Sequence, residues 1–159
     1  MPVDEVLHPA LRIVVAAVLA AAVGYERQSA GKHAGLRTHM IVAMAATLFI
    51  SMVDVIVRRY APLGEGMRID PTRAIEAVAT GIGFLGAGII FITRDRARVR
   101  GVTTAATIWA TAALGVAVGL EAYLVAAVTT ILLVLVLRGL NRWDSDDPPI
   151  ADREEPRGG

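Results

Sequence analysis

Residues 13–25 read Ile-Val-Val-Ala-Ala-Val-Leu-Ala-Ala-Ala-Val-Gly-Tyr, an uninterrupted apolar run. About 20 residues of helix cross the hydrocarbon core of a bilayer, and extending this run back to about Leu7 reaches that length. Four further segments repeat the pattern: about Met40 to Val57, Pro71 to Ile92, Val102 to Gly119 and Ala122 to Leu137. Only Gly119, Leu120 and Glu121 separate the last two, which predicts a tight helical hairpin. The expected fold class is therefore all-α, a polytopic membrane helical bundle of about five transmembrane helices.

The rest of the composition agrees. The chain has 159 residues, 55% apolar and 19% charged, where a soluble domain is about a quarter charged. A mean hydropathy of +0.56 excludes an ordinary soluble domain and a disordered chain. The lack of cysteine excludes a disulfide-built secreted module. The first segment is not read as a cleaved signal peptide, because Asp4 and Glu5 stand where a basic region belongs and only Arg12 precedes the apolar core.

Lys and Arg set the orientation. With five spans and the N-terminus outside, eleven of them fall in the inner loops and C-terminal segment, and five fall outside. The C-terminus is then cytoplasmic. Composition changes after Asn141: residues 144–159 hold six acids, two Arg and three Pro, which predicts a disordered acidic tail. The expected division is a transmembrane domain over 1–142 and a cytoplasmic tail over 143–159, with no second domain following.

A shift of 66 residues lays Gly35-Leu36-Arg37-Thr38-His39 on Gly101-Val102-Thr103-Thr104-Ala105, a faint parallel repeat of helices one and two in three and four. Glycine is densest at Gly81, Gly83, Gly86 and Gly88, where residues 81–86 satisfy G-x-G-x-x-G. A dinucleotide site needs a strand before that motif, and here it lies inside an apolar helix. Two readings remain. Ala79, Gly83 and Ala87 form one small-residue ridge, and Gly115 with Gly119 another, for close helix packing; alternatively the glycines unwind locally to line a cavity.

Asp70 and Pro71 read as the cap and first turn of helix three. Asp54 and Glu76 sit near the outer membrane surface. Acids facing the bundle at that depth are functional candidates. They suit either a hard cation such as Mg²⁺ or pairing with Arg58, Arg59 or Arg73. On the inner side, Thr38 is a candidate cap for helix two and Thr103 or Thr104 for helix four. The partly positive helix ends beside Arg37 then suit either an anionic group or an ordinary basic loop. Enzyme chemistry finds little support: Ser51 is the one serine placed within the membrane, no histidine lies at its depth, and there is no P-loop. No cofactor is expected beyond Mg²⁺ as a ligand, and membrane-flanking basic residues do not point to nucleic acid.

These motifs resemble the MgtC/SapB family of bacterial inner-membrane proteins. The matching blocks are Gly24-Tyr25-Glu26-Arg27, Ala34-Gly35-Leu36-Arg37-Thr38-His39, Asp70-Pro71-Thr72-Arg73, the glycine-rich 81–88, and Gly101-Val102-Thr103-Thr104-Ala105-Ala106 followed by Trp109. The resemblance implies a plasma-membrane bundle of about five spans and a role in adaptation to magnesium limitation, extending in pathogens to survival in macrophages. It also implies regulation of a partner, with the founding member resembling a regulator of the F-type ATP synthase rather than a Mg²⁺ pump. It marks Glu26, Arg27, Arg37, Thr38, His39, Asp70, Arg73, Thr103 and Thr104 as candidate functional residues. Many members carry a C-terminal domain resembling an ACT fold, where this chain has a short acidic tail. The founding member has Asn at the position of Thr103. The partners expected are the lipid bilayer, a membrane complex such as the ATP synthase, and a second copy of the chain; the rival reading is a small Mg²⁺ or proton transporter using Asp54 and Glu76.

Overall fold

The computed structural model describes residues 3–60, 70, 72–92 and 101–141. Five helices follow in order: α1 (Val3–Ser29), α2 (Leu36–Tyr60), α3 (Thr72–Ile92), α4 (Val102–Gly119) and α5 (Tyr123–Asn141). Among the described residues four helices are long and apolar enough to cross a membrane, and a shorter apolar stretch, Tyr123–Gly139, lies in α5. The outside of the bundle is itself apolar, with Phe84, Phe91 and Leu124 largely exposed. A soluble protein does not present so much contiguous apolar surface to water, so the fold is a helical membrane bundle. The expected acidic tail lies outside the described residues.

Helix boundaries differ from expectation at the first connection. α1 continues past Tyr25 to Ser29, and α2 starts at Leu36 rather than about Met40. The apolar run ends at Tyr25, yet Glu26 and Arg27 neutralise each other and the helix carries on past them. The expected inner loop of fourteen residues (26–39) shrinks to a turn over 30–35. Gly31, at φ 65°, closes α1 in a Schellman arrangement, with Lys32 N–H donating to the Arg27 carbonyl and Gly31 N–H to that of Gln28.

The hairpin between α4 and α5 uses the same geometry with a different residue. Ala122 N–H donates to the Ala117 carbonyl and Glu121 N–H to that of Val118, and Glu121 takes the left-handed position at φ 63°. A non-glycine residue there is strained, and its side chain explains its presence, as shown below.

α4 is the centre of the bundle. Leu114 and Val118 pack with Ala16, Ala20, Ala43 and Ala126, joining α1, α2 and α5. Ile108 and Ala112 pack with Val42 and Ala46, and Val78, Ile82 and Ile89 of α3 lean on this second cluster. Close approach of α2 and α4 depends on Gly115 and Gly119. A Cβ on Gly115 would lie 2.4 Å from the Ala43 carbonyl oxygen, and one on Gly119 2.7 Å from Ile50 Cβ. Thr47 Oγ1 donates to the Gly115 carbonyl at 2.8 Å, a hydrogen bond between helices.

The small-residue ridge of α3 is different. A Cβ on Gly81, Gly83 or Gly88 would meet nothing within 4 Å, Ala79 is half-buried and Ala87 is exposed; Gly86 alone faces a neighbour, Ala105, at 3.5 Å. The segment 81–88 is continuous helix, with no local unwinding. At the 66-residue shift, α2 and α4 each begin directly after a glycine, and His39, Val42 and Ala46 are buried just as Ala105, Ile108 and Ala112 are.

Candidate functional site

The end of the bundle formed by the α1–α2 turn gathers several of the candidate residues. Gly24 permits it: a Cβ there would stand 2.7 Å from Leu36 Cα and 3.1 Å from His39 Cβ. With the helices this close, Gln28 Oε1 accepts from Leu36 N–H at 3.3 Å and caps the start of α2. Thr38 lies inside α2, and the expected threonine cap is replaced by Gln28. Likewise α4 starts from Gly101 at φ 85° with no side-chain cap, so neither Thr103 nor Thr104 performs that role. Both helices begin earlier than their threonines: Gln28 caps α2, and Gly101 in the left-handed region leads into α4.

Glu26 and Arg27 are buried, at 5% and 2% exposure. Arg27 Nε donates to Glu26 Oε2 at 2.5 Å and Nη2 to Oε1 at 2.8 Å, a forked pairing between adjacent residues. Buried charges persist only when paired in this way. His39, fully buried, donates from Nδ1 to the Gly35 carbonyl at 2.9 Å. Neutral imidazole then presents Nε2 as an acceptor, and that atom is buried without a partner. The charges of Arg27 and Glu26 both act on this ring.

Around this buried core stand exposed Arg37, half-buried Thr38, exposed Thr103 and buried Thr104. Thr107 Oγ1 donates to the Thr104 carbonyl at 2.9 Å, continuing a back-bonded threonine stripe down α4. Asp70 and Arg73 sit at the opposite end, where α3 begins, and both are exposed. Asp70 Oδ1 accepts from Thr72 N–H at 3.0 Å and from Thr72 Oγ1 at 2.6 Å, so it is the cap that the sequence indicates. Those two bonds hold its carboxyl below the ordinary aspartate range.

The second polar centre was not legible as a unit. Arg12 is 6% exposed and donates to the Gly119 carbonyl at 3.1 Å and to the Glu121 carboxylate, and its guanidinium lies 3.6 Å from Asp54 Oδ2. Asp54 also accepts from Arg58 Nε at 3.1 Å. The strained Glu121 thus places its carboxylate on Arg12, tying the α4–α5 turn to α1 and α2. Glu76 is exposed on α3. Among the described residues no group of three or more His, Cys, Asp or Glu is arranged to hold a metal ion. A lone Arg in an apolar helix was the available signal for this centre, but its partner Glu121 is 109 positions away. Ser51 is buried, and its Oγ has no partner among the described residues.

A model described as the MgtC family matches residues 13–145. YhiD of Escherichia coli (strain K12), whose name includes the words magnesium transporter, is 38% identical over 80% of this chain and 58% of its own length. Protein MgtC of Brucella abortus (strain 2308) is 39% identical over 81% of the chain and 50% of its own length. Protein SrpB of Synechococcus elongatus is 36% identical over 89% of the chain and 80% of its own. The chain therefore spans only about half to three-fifths of the YhiD and MgtC relatives. No solved structure matches it.

Proposed function

Since the chain belongs to the MgtC family of bacterial membrane proteins, we propose that it is a non-enzymatic plasma-membrane modulator of ion homeostasis under low Mg²⁺, acting on a partner complex such as the F-type ATP synthase. The observation that carries this reading is the state of Asp54. A transport path through the membrane acids would use Asp54 together with Glu76; Glu76 is exposed on α3, but Asp54 is already engaged by Arg12 and Arg58. At the α1–α2 end Arg37 is exposed while the Glu26–Arg27 pair and His39 are buried, and this reading takes Arg37 as the cation offered to a partner. In this reading that end is cytoplasmic. Reporter fusions after residues 66 and 97 then report outside and inside respectively; the reverse pattern defeats the orientation.

Affinity purification of the full chain from native membranes at limiting Mg²⁺ tests the partner directly. Recovery of ATP synthase subunits, lost in Arg37→Ala while helix content is unchanged, is the expected result. Unchanged recovery in that variant, together with normal growth at low Mg²⁺, contradicts the role of this face. The second reading, a small Mg²⁺ or proton transporter, draws on the name of the Escherichia coli relative. It requires Asp54 to exchange Arg12 for the ion.

A further inference from the structure

α3 stands apart from the other helices. Of its membrane-crossing stretch, Thr72–Phe91, 6% is buried, against at least 33% in each of the other three spans. One flank borders an open apolar groove against α2, lined by Ala74, Val78 and Ile82. Its exposed face is not purely apolar. Arg73, Glu76, Thr80, Gly83 and Ala87 follow at alternating steps of three and four residues, and all five are exposed. At 3.6 residues per turn they lie within about 80° of arc, a single seam. Glu76 stands about 6 Å inside the start of the span, four residues beyond Thr72.

An exposed acid and an exposed arginine at this depth are costly in lipid unless they pair. Within one chain they do not: among the described residues neither Arg73 nor Glu76 forms an ion pair. Asp70, the other acid beside Arg73, is taken up by the amide and hydroxyl of Thr72. An anionic headgroup at Arg73 would meet the carboxylate of Glu76 one turn along, so a lipid does not complement this face.

A second copy of the same face does. Copies inserted in the same direction associate about a two-fold axis along the membrane normal, which sets the two α3 helices parallel. Arg73 of one copy then stands one turn from Glu76 of the partner subunit, and the reverse pair forms across the axis. Steps of three and four residues are the register of a left-handed parallel helix pair. Further along the seam Thr80, Gly83 and Ala87 are small enough for close approach in lipid, and a Cβ on Gly83 would meet nothing within its own chain.

We propose that two copies of the chain associate through this face of α3, with reciprocal Arg73–Glu76 ion pairs at the membrane surface and a Thr80–Gly83–Ala87 contact beneath them. The charges select the partner, and the small residues only permit the approach. The interface does not depend on the functional reading given above.

The chain has no cysteine, so single cysteines report the interface in native membranes. Under oxidation with copper phenanthroline, Thr80→Cys and Ala87→Cys of the full chain should form disulfide-linked dimers. Gly81→Cys and Leu85→Cys, both exposed but off the seam, should not. In the Ala87→Cys background, Arg73→Glu sets four acids around the axis and Glu76→Arg sets four arginines there. Each change alone should abolish the cross-link, and the two together should restore it. Gly83→Leu should also abolish it, at unchanged membrane level and helix content. Cross-linking at Gly81→Cys equal to that at Thr80→Cys, no homodimer at either seam position, or a double exchange that fails to restore the link overturns the proposal. So does a cross-link from the seam to a different protein in place of a second copy.

Discussion

At the scale of single residues, the polar groups are arranged in forced pairs, and their energetics are asymmetric. Removing one member of the buried Glu26–Arg27 pair leaves an uncompensated charge and costs about 3–5 kcal/mol. Removing both in Glu26→Gln/Arg27→Met should cost markedly less, and thermal melts of the three variants in one detergent measure the difference. Glu121 makes a comparable case with backbone strain in place of desolvation. Glu121→Ala loses the bond to Arg12 and keeps the unfavourable φ, whereas Glu121→Gly loses only the bond. The glycine variant should be the more stable of the two by about 1 kcal/mol. Equal melting temperatures would show that the left-handed turn carries no strain.

At the scale of elements, the two glycine ridges make opposite predictions from the same residue type. Gly115→Ala drives a Cβ into the Ala43 carbonyl and should separate α2 from α4, lowering the melting temperature. Gly83→Ala meets nothing and removes a mid-helix glycine, which stabilises by about 0.5–1 kcal/mol. The start of α3 responds to pH. Because the folded-state pKa of Asp70 is lowered, its cap contributes above the unfolded value of about 3.9 and is lost as pH falls through the folded value. Titration of Asp70 by NMR should give a midpoint below 3.9, and Thr72→Val should raise it.

Helix number and order were legible because lipid demands long apolar runs, and local composition records that demand. Helix ends were less so. The apolar run stops short of the end of α1, since the pairing of Glu26 with its neighbour cannot be seen from residue type alone. Threonine near a helix start suggests a cap, yet Gln28 caps α2 and Gly101 provides the turn into α4. The family resemblance marks Glu26, Arg27 and His39 as candidates, but their residue types do not reveal that they are buried. It recorded Arg12 as one more interfacial cation, because the partners that give it meaning lie on α2 and in the α4–α5 turn.

At the scale of the whole molecule, α4 threads the centre, α1 and α2 lock against it through small residues, and α3 stands at the edge with an open groove. Among the described residues, Arg12 ties α1 to Asp54 of α2 and to Glu121, while Glu26 and Arg27 pair within α1; the proposed modulator role leaves these pairs closed to a transported ion. Ion flux through the purified full chain in sealed liposomes tests that claim most directly. The account predicts Mg²⁺ and proton flux no greater than in protein-free vesicles, for the wild type and for Asp54→Asn alike. A flux that Asp54→Asn or Glu76→Gln abolishes would contradict it.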